Sequence, residues 1–340
     1  MAELPIVAIT IGDPAGVGPD VVAAALAGGA LETVCRPLVI GDRAVLERAA
    51  HTMGVSLPLR VVRSVADASF ARDGVDLLDL ENVPADLSVG RVSGEAGRAA
   101  FGYIERSIQL ALSGEIDAVA TAPINKEALK LGGVPFLDHT GMYATLTSST
   151  DVTTMFVLDK LKIFFATRHM SLRRALDDLT HARVVDQIRH AHEQLERFGF
   201  RRPALALAAL NPHAGEAGLF GDEEIEVLAP AVAAARARGI NVTGPHPADS
   251  VFHNAALGMY DAVVSLFHDQ GHIAAKTLDF DRTIAITTGL PFVRSSVDHG
   301  TAFDIAGTGK ARWISMAEAV RVGANYANRL KRGEPATADV

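Results

Sequence analysis

Three segments of the chain each deliver a histidine directly after an apolar run. Leu161 to Ala166 leads into Thr167-Arg168-His169, and the run ending at Leu210 leads into Asn211-Pro212-His213-Ala214-Gly215-Glu216. The run ending at Phe267 leads into His268-Asp269-Gln270-Gly271-His272. Three neutral imidazoles with a fourth position left open form a recurrent catalytic arrangement for a divalent metal. Imidazole suits zinc and several other transition ions, so the residues alone leave the metal open. Taken singly, each histidine reads better as a polar loop residue; the repetition at three run ends is what points to a metal. Asp249 could orient a metal ligand or act as a base, or simply occupy a turn. Arg294 offers the planar donor fork that suits a carboxylate or phosphate, and Lys276 a second positive charge or a general acid. His181, His190 and His192 lie among charged residues of an expected helix and read as a solvated face.

Two glycine-bearing segments add to this. Gly12-Asp13-Pro14-Ala15-Gly16-Val17-Gly18-Pro19 allows tight turns and places a proline where a helix can start. It matches neither GxGxxG nor a phosphate loop ending in Gly-Lys-Ser/Thr. Asp138-His139-Thr140 precedes an expected helix over Met142 to Thr147. It could hold an anion at the helix start, or cap the helix, and capping is the better reading. The stretch Gly289 to Lys310 is dense in polar residues and glycine without a helix or strand period, and is expected to be a long functional loop.

Short β-branched runs alternate with helical patterns along almost the whole chain, which predicts an α/β protein with a largely parallel sheet. Expected strands include Pro5 to Ile11, Pro37 to Ile40, Leu59 to Val62 and Asp117 to Thr121, besides the three runs that precede the histidines. Phe101, Ile104, Ile108 and Leu112 recur near the 3.6-residue period and predict a helix over Gly94 to Leu112. Further helices are expected over Pro19 to Leu26, Asp222 to Arg238 and Ile314 to Leu330, with a frayed tail from Gly333. In open α/β sheets ligands bind beyond the carboxyl ends of strands, which is where the three histidines fall.

The chain has 340 residues, 49% of them hydrophobic and 21% charged, as in globular proteins of one large or two ordinary domains. Its formal charge of −8 and lack of basic runs argue against a nucleic-acid partner. One cysteine, Cys35, excludes an internal disulfide, a Cys-rich zinc module and a CxxC redox pair. No apolar run is long enough for a membrane span, and the first residues lack a signal-peptide pattern. A cytoplasmic enzyme is expected.

Five ordered motifs carry a resemblance. Ile9 to Pro19, Thr121-Ala122-Pro123-Ile124-Asn125-Lys126, Asn211 to Glu216, His268-Asp269-Gln270-Gly271 and Ser296 to Ala302 resemble the 4-hydroxythreonine-4-phosphate dehydrogenases of vitamin B6 (pyridoxine) biosynthesis. The resemblance implies a two-domain isocitrate/isopropylmalate dehydrogenase-like fold with mostly parallel sheets and an active cleft between the domains. It assigns residues 1–130 plus 277–340 to a cofactor-side domain and 131–276 to a metal-, substrate- and dimer-forming domain. It implies a homodimer with the active site at the subunit interface, and NAD or NADP as cofactor. One divalent metal per site would be held by His169, His213 and His268, zinc before Mg, Mn or Co. Substrate contacts would fall on His139, Thr140, Lys276 and Arg294. Cofactor contacts would fall on Asp298, His299, Gly300, Thr301, Asp304 and Gly307.

The implied reaction is oxidation and decarboxylation of a 4-phosphorylated four-carbon 3-hydroxy acid, with Lys276 and Asp249 as catalytic candidates. Two departures bear on the substrate. Asp138-His139-Thr140-Gly141 stands where the biosynthetic enzymes read Gly-His-Thr-Glu, and Ala285 stands where they carry a substrate-contacting asparagine. Gly271-His272-Ile273 is more similar to catabolic relatives that act on threonate or erythronate phosphates. Competing readings are a dehydrogenase of carboxylated cyclohexadiene cis-diols of the terephthalate type, a metal-dependent hydrolase or aldolase, and a non-catalytic ligand-binding protein.

Overall fold

A computed structural model of the protein describes residues 3–332, so the tail expected to fray from Gly333 lies outside the described residues. The elements in chain order begin with β1 (Ile6–Thr10), α1 (Gly18–Ala27), β2 (Arg36–Gly41), α2 (Arg43–Met53), β3 (Leu59–Val62) and β4 (Val75–Asp79). They continue with α3 (Gly94–Leu112), β5 (Ala118–Thr121), α4 (Lys126–Leu131) and α5 (His139–Leu146). Next come β6 (Thr153–Leu158), β7 (Leu161–Phe165), α6 (Leu172–Asp177), α7 (His181–Arg197), β8 (Leu205–Ala208) and α8 (Ala229–Ala237). The chain ends with β9 (Val242–His246), α9 (Ala248–Ala256), β10 (Ala262–Ser265), α10 (His268–Leu278), β11 (Ile284–Thr288), β12 (Val293–Val297) and α11 (Ile314–Arg332).

Among the described residues these elements form two compact units, residues 3–153 with 284–328, and residues 154–283 with 329–332. In the first unit the strand order is β3-β4-β2-β1-β5-β12-β11, parallel except for the antiparallel pair β11 and β12. In the second it is β6-β7-β10-β8-β9, parallel except for β6 against β7. β5, β7, β8 and β10 are buried along their whole length, as expected of parallel strands covered on both faces. The α/β class with mostly parallel strands is therefore as the sequence predicts.

The unit boundaries fall at 153 and 283, not at 130 and 276. Residues 131–153 stay with the first unit because they pack on α3. Phe136 stacks on Phe101 at 5.8 Å, and the Tyr143 hydroxyl meets that of Ser107 at 2.9 Å. At the second boundary α10 runs to Leu278, and the Thr283 hydroxyl donates to the carbonyls of Asp279 and Ala275.

Three further expectations need correction. Gly289 to Lys310 is not one irregular loop, because Val293–Val297 pairs with both β5 and β11; its polar Arg294 and Ser295 are buried, which hides the strand period. Asp222 to Arg238 is not uniformly α-helical. Glu224–Leu228 is π-wound before α8, and Pro230 has no N–H to give the preceding turn. His190 is not on a solvated face: it is buried, its ring 6.2 Å from that of Phe164. Among the described residues no helix is long and apolar enough to cross a membrane.

Candidate active site

In the first unit the sheet holds a buried cation whose side chain reaches the end of β5. Arg294 on β12 is 4% exposed, and its strand register sets it opposite Thr287 of β11. Its guanidinium donates to the hydroxyls of Thr287, at 2.8 Å, and Thr121 at the end of β5. It also lies 5.2 Å from the Tyr143 ring centroid. Its Nε is buried without a hydrogen-bond partner, and no carboxylate forms an ion pair with it among the described residues. Burial pushes its pKa down to about 10, opposed by Tyr143 and by the charge of Asp138, so it stays protonated at neutral pH. A buried charge held only by neutral hydroxyls and a ring is costly unless an anion completes it.

Helix α5 brings His139 and Thr140 to this region in its first turn, with Tyr143 one turn later. Asp138 is its N-cap, its carboxylate accepting from the Gly141 N–H at 2.9 Å, so the capping expectation holds. The His139 Nε2 is enclosed and unpartnered. Burial, with the nearby Arg294 charge, holds its pKa well below 6.5 and keeps the imidazole neutral. A neutral imidazole beside a guanidinium can bind a hydroxyl while the guanidinium binds an anion. His139 and Thr140 thus belong to the same unit as Arg294, not to the unit of the metal candidates.

In the second unit His169 follows β7 and His268 opens α10 just past β10. Their ring centroids are 5.7 Å apart, and both line a cavity of about 510 Å³ with Met170, Leu172, Phe267 and Asp269. The His268 Nδ1 meets the Asp269 carboxylate at 2.6 Å, which leaves Nε2 for a ligand. Such a carboxylate behind an imidazole is the usual support of a metal ligand. His272 stacks on His268 at 3.6 Å and directs its own Nδ1 at the His268 carbonyl, 2.8 Å away.

His213 does not join this pair. Among the described residues no group of three His, Cys, Asp or Glu side chains converges as a metal site. His213 is exposed, its Nδ1 3.3 Å from Glu216, on a turn where residues 213–217 all have positive φ between 45° and 80°. Four of those five are not glycine, and left-handed backbone costs such residues about 1–2 kcal/mol each. One chain therefore supplies two adjacent imidazoles, whose donor chemistry suits a transition ion, and carries the third elsewhere.

Lys276 lies two turns beyond His268 on α10, its Nζ 5.1 Å from the Phe280 ring centroid. Asp249 is exposed in the first turn of α9 and does not line the His169–His268 cavity. The loop after β12 folds against the first turn of the chain. The Thr301 carbonyl accepts from Val17 at 2.9 Å, and a Cβ at Gly16 would lie 2.9 Å from Thr301. The Gly307 N–H donates to buried Asp20 at 3.0 Å. Burial raises the Asp20 pKa, opposed by that N–H and by the charge of Arg48. Gly307 lines a cavity of about 280 Å³ with Pro14, Gly16, Asp20, Arg48 and Thr52. Among the cofactor candidates His299 is tied to Ser315 at 3.1 Å, Thr301 is buried and Asp304 is exposed. Asp298 and Gly300 flank His299 and, like it, do not line that cavity.

Arg294 and His139 were expected from the sequence as substrate contacts; what sequence reasoning missed is the set of groups that hold the guanidinium. Thr121 was hidden in a strand, and only the four-residue spacing from His139 marks Tyr143 on the same helix face.

The family model described as pyridoxal phosphate biosynthetic protein PdxA matches residues 33–323. The chain belongs to the PdxA family. A protein of Symbiobacterium thermophilum named as a D-threonate 4-phosphate dehydrogenase is 56% identical over 98% of this chain and 99% of its own. A solved structure of 4-hydroxythreonine-4-phosphate dehydrogenase from Klebsiella pneumoniae is 46% identical, with a TM-score of 0.88 over 96% of this chain and 99% of that one. A terephthalate 1,2-cis-dihydrodiol dehydrogenase from Burkholderia xenovorans is 32% identical, with a TM-score of 0.63 over 94% and 98% of the two chains. As a PdxA-family protein it is an oxidoreductase of the dehydrogenase type, which sets aside the hydrolase, aldolase and purely ligand-binding readings.

Proposed function

We propose that the protein oxidises and decarboxylates a 4-phosphorylated four-carbon 3-hydroxy acid, of which D-threonate 4-phosphate is the first candidate. The observation that carries this reading is the buried Arg294 guanidinium, which has an orphaned Nε and, among the described residues, no carboxylate partner. It is a receptor for an anionic group, and the relative at 56% identity is named for a phosphorylated acid. Oxidation at C3 removes one hydride and the hydroxyl proton; the β-keto acid so formed then loses its carboxylate as carbon dioxide. NAD, when bound, would serve as the hydride acceptor, and a divalent ion held by His169 and His268 would supply Lewis-acid stabilisation of the negative charge that develops on the substrate oxygen.

The chain's own residues do the rest. Arg294, organised by Thr121 and Thr287, fixes the anionic end of the substrate. His139, kept neutral by burial, hydrogen-bonds a substrate hydroxyl without adding charge. Lys276 supplies a cation against the charge that develops during decarboxylation. His169 and His268 are the residues that would hold the ion, with Asp269 orienting His268 and the remaining imidazole coming from a second copy of the chain. The loop Asp298 to Gly307 is proposed to carry the cofactor, with Asp20 fixing its far end through the Gly307 N–H.

The test is reduction of NAD, followed by absorbance, with and without divalent ion. The substrates compared are D-threonate 4-phosphate, 4-hydroxythreonine 4-phosphate and a carboxylated cyclohexadiene cis-diol. Turnover of the phosphorylated acid is expected. Turnover of the diol alone would replace this reading with the diol-dehydrogenase one.

A further inference from the structure

The turn that carries His213 is held from behind by a carboxylate. Glu224 is 4% exposed, and its Oε1 accepts the backbone N–H groups of Leu210, at 2.7 Å, and Asn211, at 2.8 Å. Its Oε2 accepts from the Asn211 side-chain amide at 2.8 Å, and the same amide donates to Glu223 at 2.6 Å. A Cβ at Gly215 would lie 2.8 Å from Oε2, so the carboxylate also packs on the turn's midpoint. No Lys or Arg forms an ion pair with Glu224 among the described residues. Burial alone would raise its pKa, yet the amide donors of Asn211 and Leu210 bring it below the ordinary glutamate value. A charge buried against amide groups alone fits a role in fixing backbone, and here that backbone is five successive left-handed residues beginning with His213. Glu224 also opens the π-wound segment, an irregularity frequent at functional sites.

We propose that Glu224 is the positioning residue for His213: it holds the left-handed turn in the one conformation that presents the imidazole outward. The proposal rests on the reading of His213 as a ligand to a divalent ion. In the test, the holoprotein and its Glu224→Gln, Asn211→Ala and His213→Ala variants are compared by two readouts. One is amide hydrogen exchange at Leu210 and Asn211; the other is zinc affinity by competition with a chromogenic chelator. Glu224→Gln is expected to speed exchange at both amides and to weaken zinc about 10–100-fold, the range seen when the support of a metal ligand is lost. Asn211→Ala is expected to change both readouts in the same direction by less, and it decides the matter if the Glu224 variant does not fold. Wild-type zinc affinity in Glu224→Gln or, failing that, in Asn211→Ala overturns the proposal, provided His213→Ala weakens zinc. If His213→Ala itself binds zinc as the wild type does, it is the reading of His213 as a ligand that fails, whatever the exchange rates show.

Discussion

A guanidinium inside a sheet, bonded to two threonine hydroxyls and a tyrosine face, ties substrate choice to very few atoms. Replacing Arg294 by Lys keeps the charge but loses the fork that reaches Thr121 and Thr287 together. A hydrogen bond to a charged group contributes about 1.5–3 kcal/mol. Arg294→Lys is therefore expected to raise KM for the phosphorylated acid at least about tenfold with a smaller change in kcat, measured by steady-state NAD reduction. Ala285 lies two residues before Thr287 on β11, so their side chains share one face of the strand, and it is buried there. A methyl group donates nothing to an anion. Ala285→Asn is expected to improve 4-hydroxythreonine 4-phosphate about tenfold in kcat/KM and to leave D-threonate 4-phosphate unchanged or worse. Efficient use of 4-hydroxythreonine 4-phosphate by the wild type, with no gain in the variant, would make the departure at 285 neutral.

At the scale of elements, strand ends and helix starts carry the chemistry. Asp138 caps α5, and α5 carries His139, Thr140 and Tyr143. Asp138→Ala should cost about 1 kcal/mol of stability. Because the frayed turn is the one bearing His139, KM should rise as well, so thermal unfolding and kinetics are measured on the same preparation. Much of this level was legible in the sequence. The capping aspartate, the helix over Gly94–Leu112 and the placement of His169, His213 and His268 after apolar runs all follow from residue type and spacing. What stayed hidden has a physical cause. Val293–Val297 hides its period because Arg294 and Ser295 are polar yet buried, each donating a hydrogen bond to a neighbouring strand. His190 is polar but buried against Phe164, which no spacing rule foretells. The left-handed turn at 213–217 contains one glycine among five residues, so composition gives no sign of it.

For the whole molecule, the charge inside the first unit sets a pH dependence. Asp13, fully buried after β1, is pushed from 3.8 up to about 6 by burial, against hydrogen bonds from the Ala15 and Gly16 N–H groups. The folded state thus keeps this proton longer than the unfolded chain. The group's contribution is fully present below pH 3.8 and is lost as pH rises through about 6, an effect on the order of 3 kcal/mol. Asp13→Asn should raise the unfolding midpoint at pH 7.5 and leave it unchanged at pH 3.5; an equal shift at both would assign the effect to packing. The exposed apolar residues Met170, Leu172 and Leu176 near His169, and Leu219 and Phe220 near His213, are expected to be covered by a second copy. Sedimentation at assay concentration should give a dimer, and a fully active monomer would refute this. The interleaving of the units also sets a timetable for synthesis. Thr121 on β5 waits for Arg294, which lies 173 positions later in the chain. At about 5–20 residues per second the ribosome needs roughly 9–35 s to make that stretch. Throughout that interval one side of β5 is an open edge, ready to pair with any passing strand. The nascent chain is therefore most exposed to aggregation after its N-terminal strands have formed and before β12 emerges.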